Sequence, residues 1–137
     1  MAQPSEKLIL GAQMTREFLG QGLLDEIQAN SRDDLASRVG AEYIAEVCFS
    51  SYARPGLEFK ERSLMNIAMM IALNRTPELR IHIRAALHNG LSEVQIVEAC
   101  RHAMIYCGVP AGREALTVAS EVLSSAKEPK ARDIKLS

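Results

Sequence analysis

Glu78 and His82 stand four residues apart in the stretch ALNRTPELRIHIRAALHNG, residues 72–90. On a helix that spacing makes the side chains neighbours. A carboxylate beside an imidazole raises the histidine pKa and can hold one tautomer, which is how an acid or base is poised near neutral pH. Arg75 lies three residues before Glu78, close to the same strip but outside the helix. The same spacing also describes an ordinary solvated pair, and spacing alone leaves both readings open.

Other polar groups have comparable two-sided readings. Glu61 opens a helix, where a first-turn carboxylate is favoured by the helix dipole. Arg54 and Arg62 flank it beside the Pro55-Gly56 turn, and arginines so placed could clamp a substrate carboxylate bidentately. Glu98, His102 and Tyr106 repeat every four residues on an otherwise apolar helix. That strip suits a pocket lining or a subunit interface equally. His88, near a helix C-terminus, reads as structural. No HxxxH, HExxH or Cys/His cluster points to a metal, and no phosphate-cradling glycine loop or GxSxG elbow occurs.

The elements that must hold these groups are helices throughout. A first is expected over about 5–20. A second begins near Ser31, in SRDD, and runs on with Leu35, Val39, Tyr43, Ile44 and Val47 at helical spacing. After ARPGL a third covers 58–73, with Leu64, Ile67, Ala68 and Ile71 toward a core. Thr76 as N-cap, Pro77 at the first position and Asn89-Gly90 as the stop bound a fourth. Its stripe is Leu79, Ile83, Ala86 and Leu87. Ser92 and Gln95 form a capping-box pattern for a fifth, ending near Cys107. Gly108 and Pro110 separate it from a sixth, ending near Ser125. No alternating strand pattern appears, so the class is all-α, in about six helices.

The 137 residues suit a single domain, with a core over about 30–125 and a polar tail at 126–137. The net charge of −1 gives no broad pull toward nucleic acid or anionic membrane. No apolar run spans a membrane, and MAQPSEKLIL has no basic-then-apolar leader pattern. The expectation is a soluble cytoplasmic protein. Three cysteines, Cys48, Cys100 and Cys107, argue against a disulfide framework and read as buried structural thiols. The third and fifth helices are apolar over more than one stripe, which predicts central burial or sharing between subunits of a homo-oligomer.

RPGL, RSLMNIAMMIALNR, ELRIHIRAALHNGLS and IYCGVPAG, in that order, resemble the 4-carboxymuconolactone decarboxylases. These belong to a superfamily that includes the alkylhydroperoxidase AhpD-like proteins. The resemblance covers about residues 30–125. It implies an AhpD-like helical bundle, trimeric or hexameric assembly, and no organic cofactor. In the redox branch a glutamate opens a helix, and a CxxC follows with a histidine four beyond it. Those positions fall on Glu61, on Arg75 and Glu78, and on His82. The histidine is kept and both redox sulfurs are absent, so a disulfide relay by that route is excluded. The decarboxylase branch carries a tryptophan pair before RPGL. This chain has no Trp, and CFSSYARPGL places Cys48 and Tyr52 there.

The resemblance therefore implies a cofactor-independent, metal-free carboxy-lyase acting on 4-carboxymuconolactone or a related unsaturated carboxylactone, as in aromatic catabolism. His82 would be proton donor or oxyanion partner, oriented by Glu78 or Glu61. Arg54, then Arg75, would hold a substrate carboxylate, with Tyr52, Tyr106 and His102 lining the pocket. The competing readings are a same-fold enzyme on another lactone or β-keto acid, a thiol-based redox protein, and a non-catalytic helical oligomer.

Overall fold

The computed structural model describes residues 3–127. It is built from α1 (Glu6–Leu19), α2 (Gln21–Ala29), α3 (Leu35–Tyr43), α4 (Phe59–Ala72), α5 (Thr76–His88), α6 (Glu93–Cys107) and α7 (Val109–Lys127). A π-helical turn, Ile44–Cys48, and a 3₁₀ turn, Phe49–Ala53, continue α3 toward the Pro-Gly turn. The described residues hold no strand, so the all-α expectation stands.

Two cores share α5. The larger is enclosed by α4 to α7 and centres on Ile67, Ile83, Ile96 and Cys100. The smaller joins α1 and α2 to α5 through Phe18, Leu19, Leu23 and Ala85, with Phe49, Tyr52 and Phe59 packed against it. Each fully buried isoleucine or phenylalanine stabilises by about 1.5–3 kcal/mol. Leu79, Ile83 and Ala86 face the first core and Ala85 the second. At 3.6 residues per turn His82 falls between these two faces.

Local signals set the joints. Leu73-Asn74-Arg75 turns α4 into α5, with Asn74 left-handed at φ 56°. The Asn74 and Arg75 amides donate back to Ile71 and Met70 carbonyls at 3.2 and 2.9 Å, a Schellman closure. Gly90, at φ 92°, ends α5 in the same way, its amide and that of Leu91 donating to Leu87 and Ala86. The Ser92–Gln95 capping box is fully formed. His88 Nε2 and Asn89 Nδ2 donate to the carbonyls of Glu17 and Phe18, both at 3.0 Å, satisfying the C-terminus of α1.

Several expectations need correction. Among the described residues seven α-helices replace about six, because Gly20, at φ 81°, ends α1 and a separate α2 follows. The N-cap of α3 is Asp34, whose carboxylate accepts from the Ser37 amide, not Ser31. Arg75 occupies the N-cap of α5. Thr76, one residue inside, instead donates its hydroxyl to Glu114 Oε1 at 2.7 Å, tying α5 to α7. On α4, Ile67 and Ile71 are buried, but Leu64 and Ala68 are exposed in the single chain. They line a groove of about 540 Å³ with Val94, Ala99, His102 and Ala103. α3 buries nothing, and Leu35 is 71% exposed. Helix α7 continues through Ala126 and Lys127; the rest of the predicted polar tail lies outside the described residues.

The thiols divide. Cys100 is buried and Cys107 half-buried, whereas Cys48 is exposed, contrary to the expectation of burial for all three. Burial also pushes the Cys100 thiol up to about 11, leaving little thiolate to react. Ellman's reagent should therefore label Cys48 in the native protein and reach Cys100 only after denaturation. Rapid native labelling of Cys100, located by peptide mapping, would contradict this packing.

Candidate active site

His82 projects from the middle of α5 toward α4 and α1. Its ring lies 6.2 Å from that of Phe18, centroid to centroid. Phe18 is 0% exposed and also contacts Tyr52, Phe59 and Phe49, at 4.8, 5.4 and 6.0 Å. The 3₁₀ turn therefore delivers Tyr52 to the same aromatic wall that backs His82.

Asn66, on α4, joins the two polar groups. Its Nδ2 donates to Tyr52 Oη at 2.9 Å and stands 3.5 Å from His82 Nδ1. Arg62, one turn earlier on α4, lies over the Tyr52 ring at 5.5 Å. The same guanidinium donates to the carbonyls of Leu57 and Arg54 at 3.3 and 3.0 Å. One arginine thus holds both the Pro-Gly turn and the tyrosine that precedes it.

Burial pushes the His82 pKa below its ordinary 6.5, and the nearby Glu78 carboxylate opposes this only in part. Burial likewise pushes the Tyr52 phenol up, while Asn66 and Arg62 pull it back. At neutral pH His82 is therefore an uncharged imidazole. For stability, the unfolded chain takes a proton near pH 6.5 that the folded chain refuses until lower pH. Stability should rise with pH through that window and fall as pH drops below about 6.5. Urea titrations at pH 7.5 and 5.5 should show less loss for His82→Ala than for wild type. An equal loss in both would assign the acid sensitivity elsewhere.

The other expected site residues are spread more widely. Glu78 lies near enough for its charge to act on His82. Arg54 is exposed, two residues beyond Tyr52. Glu61 is exposed and shares its side of α4 with Leu64 and Ala68, away from Asn66. Arg75 is exposed at the start of α5. Among the described residues no hydrogen bond or ion pair joins Arg54, Glu61 or Arg75 to His82. His102 and Tyr106 pair with each other, rings 5.8 Å apart. His102 lines the α4–α6 groove, which opens on the opposite side of α4 from Asn66. Among the described residues no group of three or more His, Cys, Asp and Glu side chains could hold a metal.

Asn66 is absent from the sequence-based candidates, and Arg62 enters them as a flank of Glu61 that could clamp a carboxylate, not as a support for Tyr52. The available signal for Asn66 was an amide in the apolar helix stretch SLMNIAMM, where an unpaired amide is unfavourable.

The family comparison defines the class. The chain belongs to the carboxymuconolactone decarboxylase family, whose profile matches residues 40–121. It is similar to 4-carboxymuconolactone decarboxylase of Acinetobacter baylyi, 34% identical over 115 residues covering 82% of this chain and 83% of that one. It is also similar to nitrosuccinic acid decarboxylase of Metarhizium robertsii, 33% identical over 115 residues covering 83% and 79%. It is a carboxy-lyase of this family.

Proposed function

We propose that the chain is a cofactor-independent decarboxylase of a small dicarboxylate whose departing carboxyl group is linked to an oxygen electron sink. The first candidate is 4-carboxymuconolactone or a related unsaturated carboxylactone. The observation that carries the reading is the half-buried His82 linked through Asn66 to Tyr52 against a phenylalanine wall.

The C–CO₂⁻ bond breaks, CO₂ departs, and the electron pair delocalises through the ring alkene onto the lactone carbonyl oxygen. The resulting dienolate then takes one proton on carbon. The substrate is its own electron sink, so the protein must supply donors for the oxyanion and that proton. An uncharged imidazole suits the first task, its N–H stabilising charge as it develops. Tyr52 O–H suits the second. Its phenolate, supported by Asn66 and the Arg62 guanidinium, regains a proton from solvent. Phe18, Phe49 and Phe59 keep the departing carboxylate poorly solvated, which favours its loss as neutral CO₂. Arg54 is the first candidate for holding the retained carboxylate and Arg75 the second. Glu78 is favoured over Glu61 as the carboxylate that orients His82.

The nitrosuccinate-acting relative supports a second reading, the same reaction on an acyclic acid with a nitro group as sink. Tyr52 and Cys48 stand where the family resemblance places tryptophans, so the substrate-facing side chains there differ from that branch's. Purified protein should release CO₂ from 4-carboxymuconolactone, from nitrosuccinate, or from both. Folded protein that turns over neither removes this substrate class.

The activity profile has a defined sign. kcat/KM should hold through pH 6.5 and fall on the acid side only below that value, as His82 gains a proton. Activity that instead falls as pH rises through this range would mean that His82 works as its cation.

Uncovered apolar side chains support a homo-oligomer, trimer or hexamer, as the working form. Val94 is 76% and Tyr106 83% exposed on α6, and Met65, Met69 and Leu73 are exposed on α4. Light scattering that reports a monomer at micromolar concentration would reject this. Among the described residues no helix is long and apolar enough to cross a membrane. A cytoplasmic location and independence from nucleic acid remain part of the proposal.

A further inference from the structure

We propose that Asn66 is a positioning residue that sets the direction of both donors in the site, making His82 an Nε2–H donor and leaving the Tyr52 O–H free for the reacting molecule. The inference rests on the decarboxylase reading and deepens it.

An amide nitrogen has two hydrogens and no lone pair to offer. Asn66 Nδ2 lies 2.9 Å from Tyr52 Oη and 3.5 Å from His82 Nδ1. The two hydrogens of this one nitrogen are enough to serve both atoms. Nδ1 must then present its lone pair, so the ring proton of uncharged His82 sits on Nε2. Tyr52 Oη receives a hydrogen bond from Asn66, so its own proton points elsewhere. Without Asn66, the tyrosine could donate its proton into the protein and the imidazole could take either tautomer. With it, a single side chain holds two neighbouring groups as donors before any substrate binds, which is the preorganisation that oxyanion stabilisation requires.

The supporting frame is rigid. Asn66 sits mid-helix on α4, and the Schellman joint at Leu73–Arg75 fixes α4 against α5, hence Asn66 against His82. Tyr52 is held by Arg62 on one side and by Phe18 edge-on. The Asn66 amide nitrogen makes both of its side-chain contacts to these two groups.

The test uses full-length protein and reads the tautomer directly. Long-range ¹H–¹⁵N spectra at pH 7.5, with His82 assigned by the signals missing from His82→Ala, should show the Nε2–H form. Asn66→Asp keeps the shape but can only accept, so the His82 proton should move to Nδ1 and kcat should fall about 10²–10³-fold. Tyr52→Phe keeps the ring and the amide. It should leave the Nε2–H form in place and lower kcat by about 10²-fold with little change in KM. A wild-type Nδ1–H tautomer overturns the proposal, as does an Asn66→Asp variant with wild-type kcat. If Asn66→Asp fails to fold, the wild-type spectrum and Tyr52→Phe still decide. An Nε2–H spectrum in a protein inert toward both acids would keep the positioning role and reject the substrate reading.

Discussion

On the proposed mechanism His82→Ala should lower kcat by about 10²–10³-fold, while helix content and apparent mass should stay those of wild type. The size follows from what the imidazole contributes. It stands beside Phe18, partly shielded from water, and burial favours its uncharged form, so in the proposed mechanism its N–H would meet the developing oxyanion where charge interactions are weakened little. Alanine offers no donor, and water entering the gap must reorganise before it can replace one. The loss should fall mainly on kcat, because the interaction strengthens only as charge moves onto the sink oxygen. Folding should survive, since His82 lies between the two core faces of α5 and the neighbouring Ile83, Ala85 and Ala86 carry the packing. Circular dichroism and light scattering check that half; steady-state CO₂ release checks the other. Wild-type turnover by the variant would remove His82 from the mechanism.

Gly11→Ala is the substitution expected to damage stability most. A Cβ on Gly11 would lie 1.6 Å from the carbonyl oxygen of Ala45, and 2.4 Å from its carbon. The obstacle is backbone, which cannot swing aside as a side chain can, and it belongs to the π-helical turn that leads into Tyr52. Either α1 or that turn must move. Overpacking in a well-packed site costs about 1–3 kcal/mol and occasionally more, and a backbone clash belongs at or above the upper end. A fall in Tm on the order of 10 °C follows for a chain of this size. kcat should drop as well at temperatures where the variant is still folded, because Tyr52 rides on the displaced segment. Gly22→Ala is the control: nothing lies within 4 Å of its added Cβ, so it should be neutral to slightly stabilising. Equal melting points for the two variants would show that α1 does not seat as described.

Much of the α4–α6 region was legible because its signals are local. Asn89-Gly90, the Ser92–Gln95 box and the Leu79–Ile83–Ala86 stripe each act within a few residues and reappear as expected. Gly20 was harder to read. LGQGLLDEIQAN contains no proline, and only the left-handed-side φ of Gly20, packed beside His88, separates α1 from α2. The stripe on α3 had the right spacing for a helix, but spacing does not say whether a partner exists, and among the described residues nothing covers it. Leu64 and Ala68 carried the same ambiguity on α4. At the site, the Glu78–His82 neighbourhood followed from helix geometry alone. Asn66 did not, because its importance depends on a tight joint that brings residues sixteen apart in sequence side by side.

Phe18 stands on α1, while the family match begins at residue 40. Phe49 and Phe59 lie inside that span and Phe18 before it, so the wall behind His82 is assembled from two stretches of chain that meet only on folding. For an engineer, α1 is therefore a place to vary one face of that wall without touching the α4–α5 hairpin that carries Asn66 and His82.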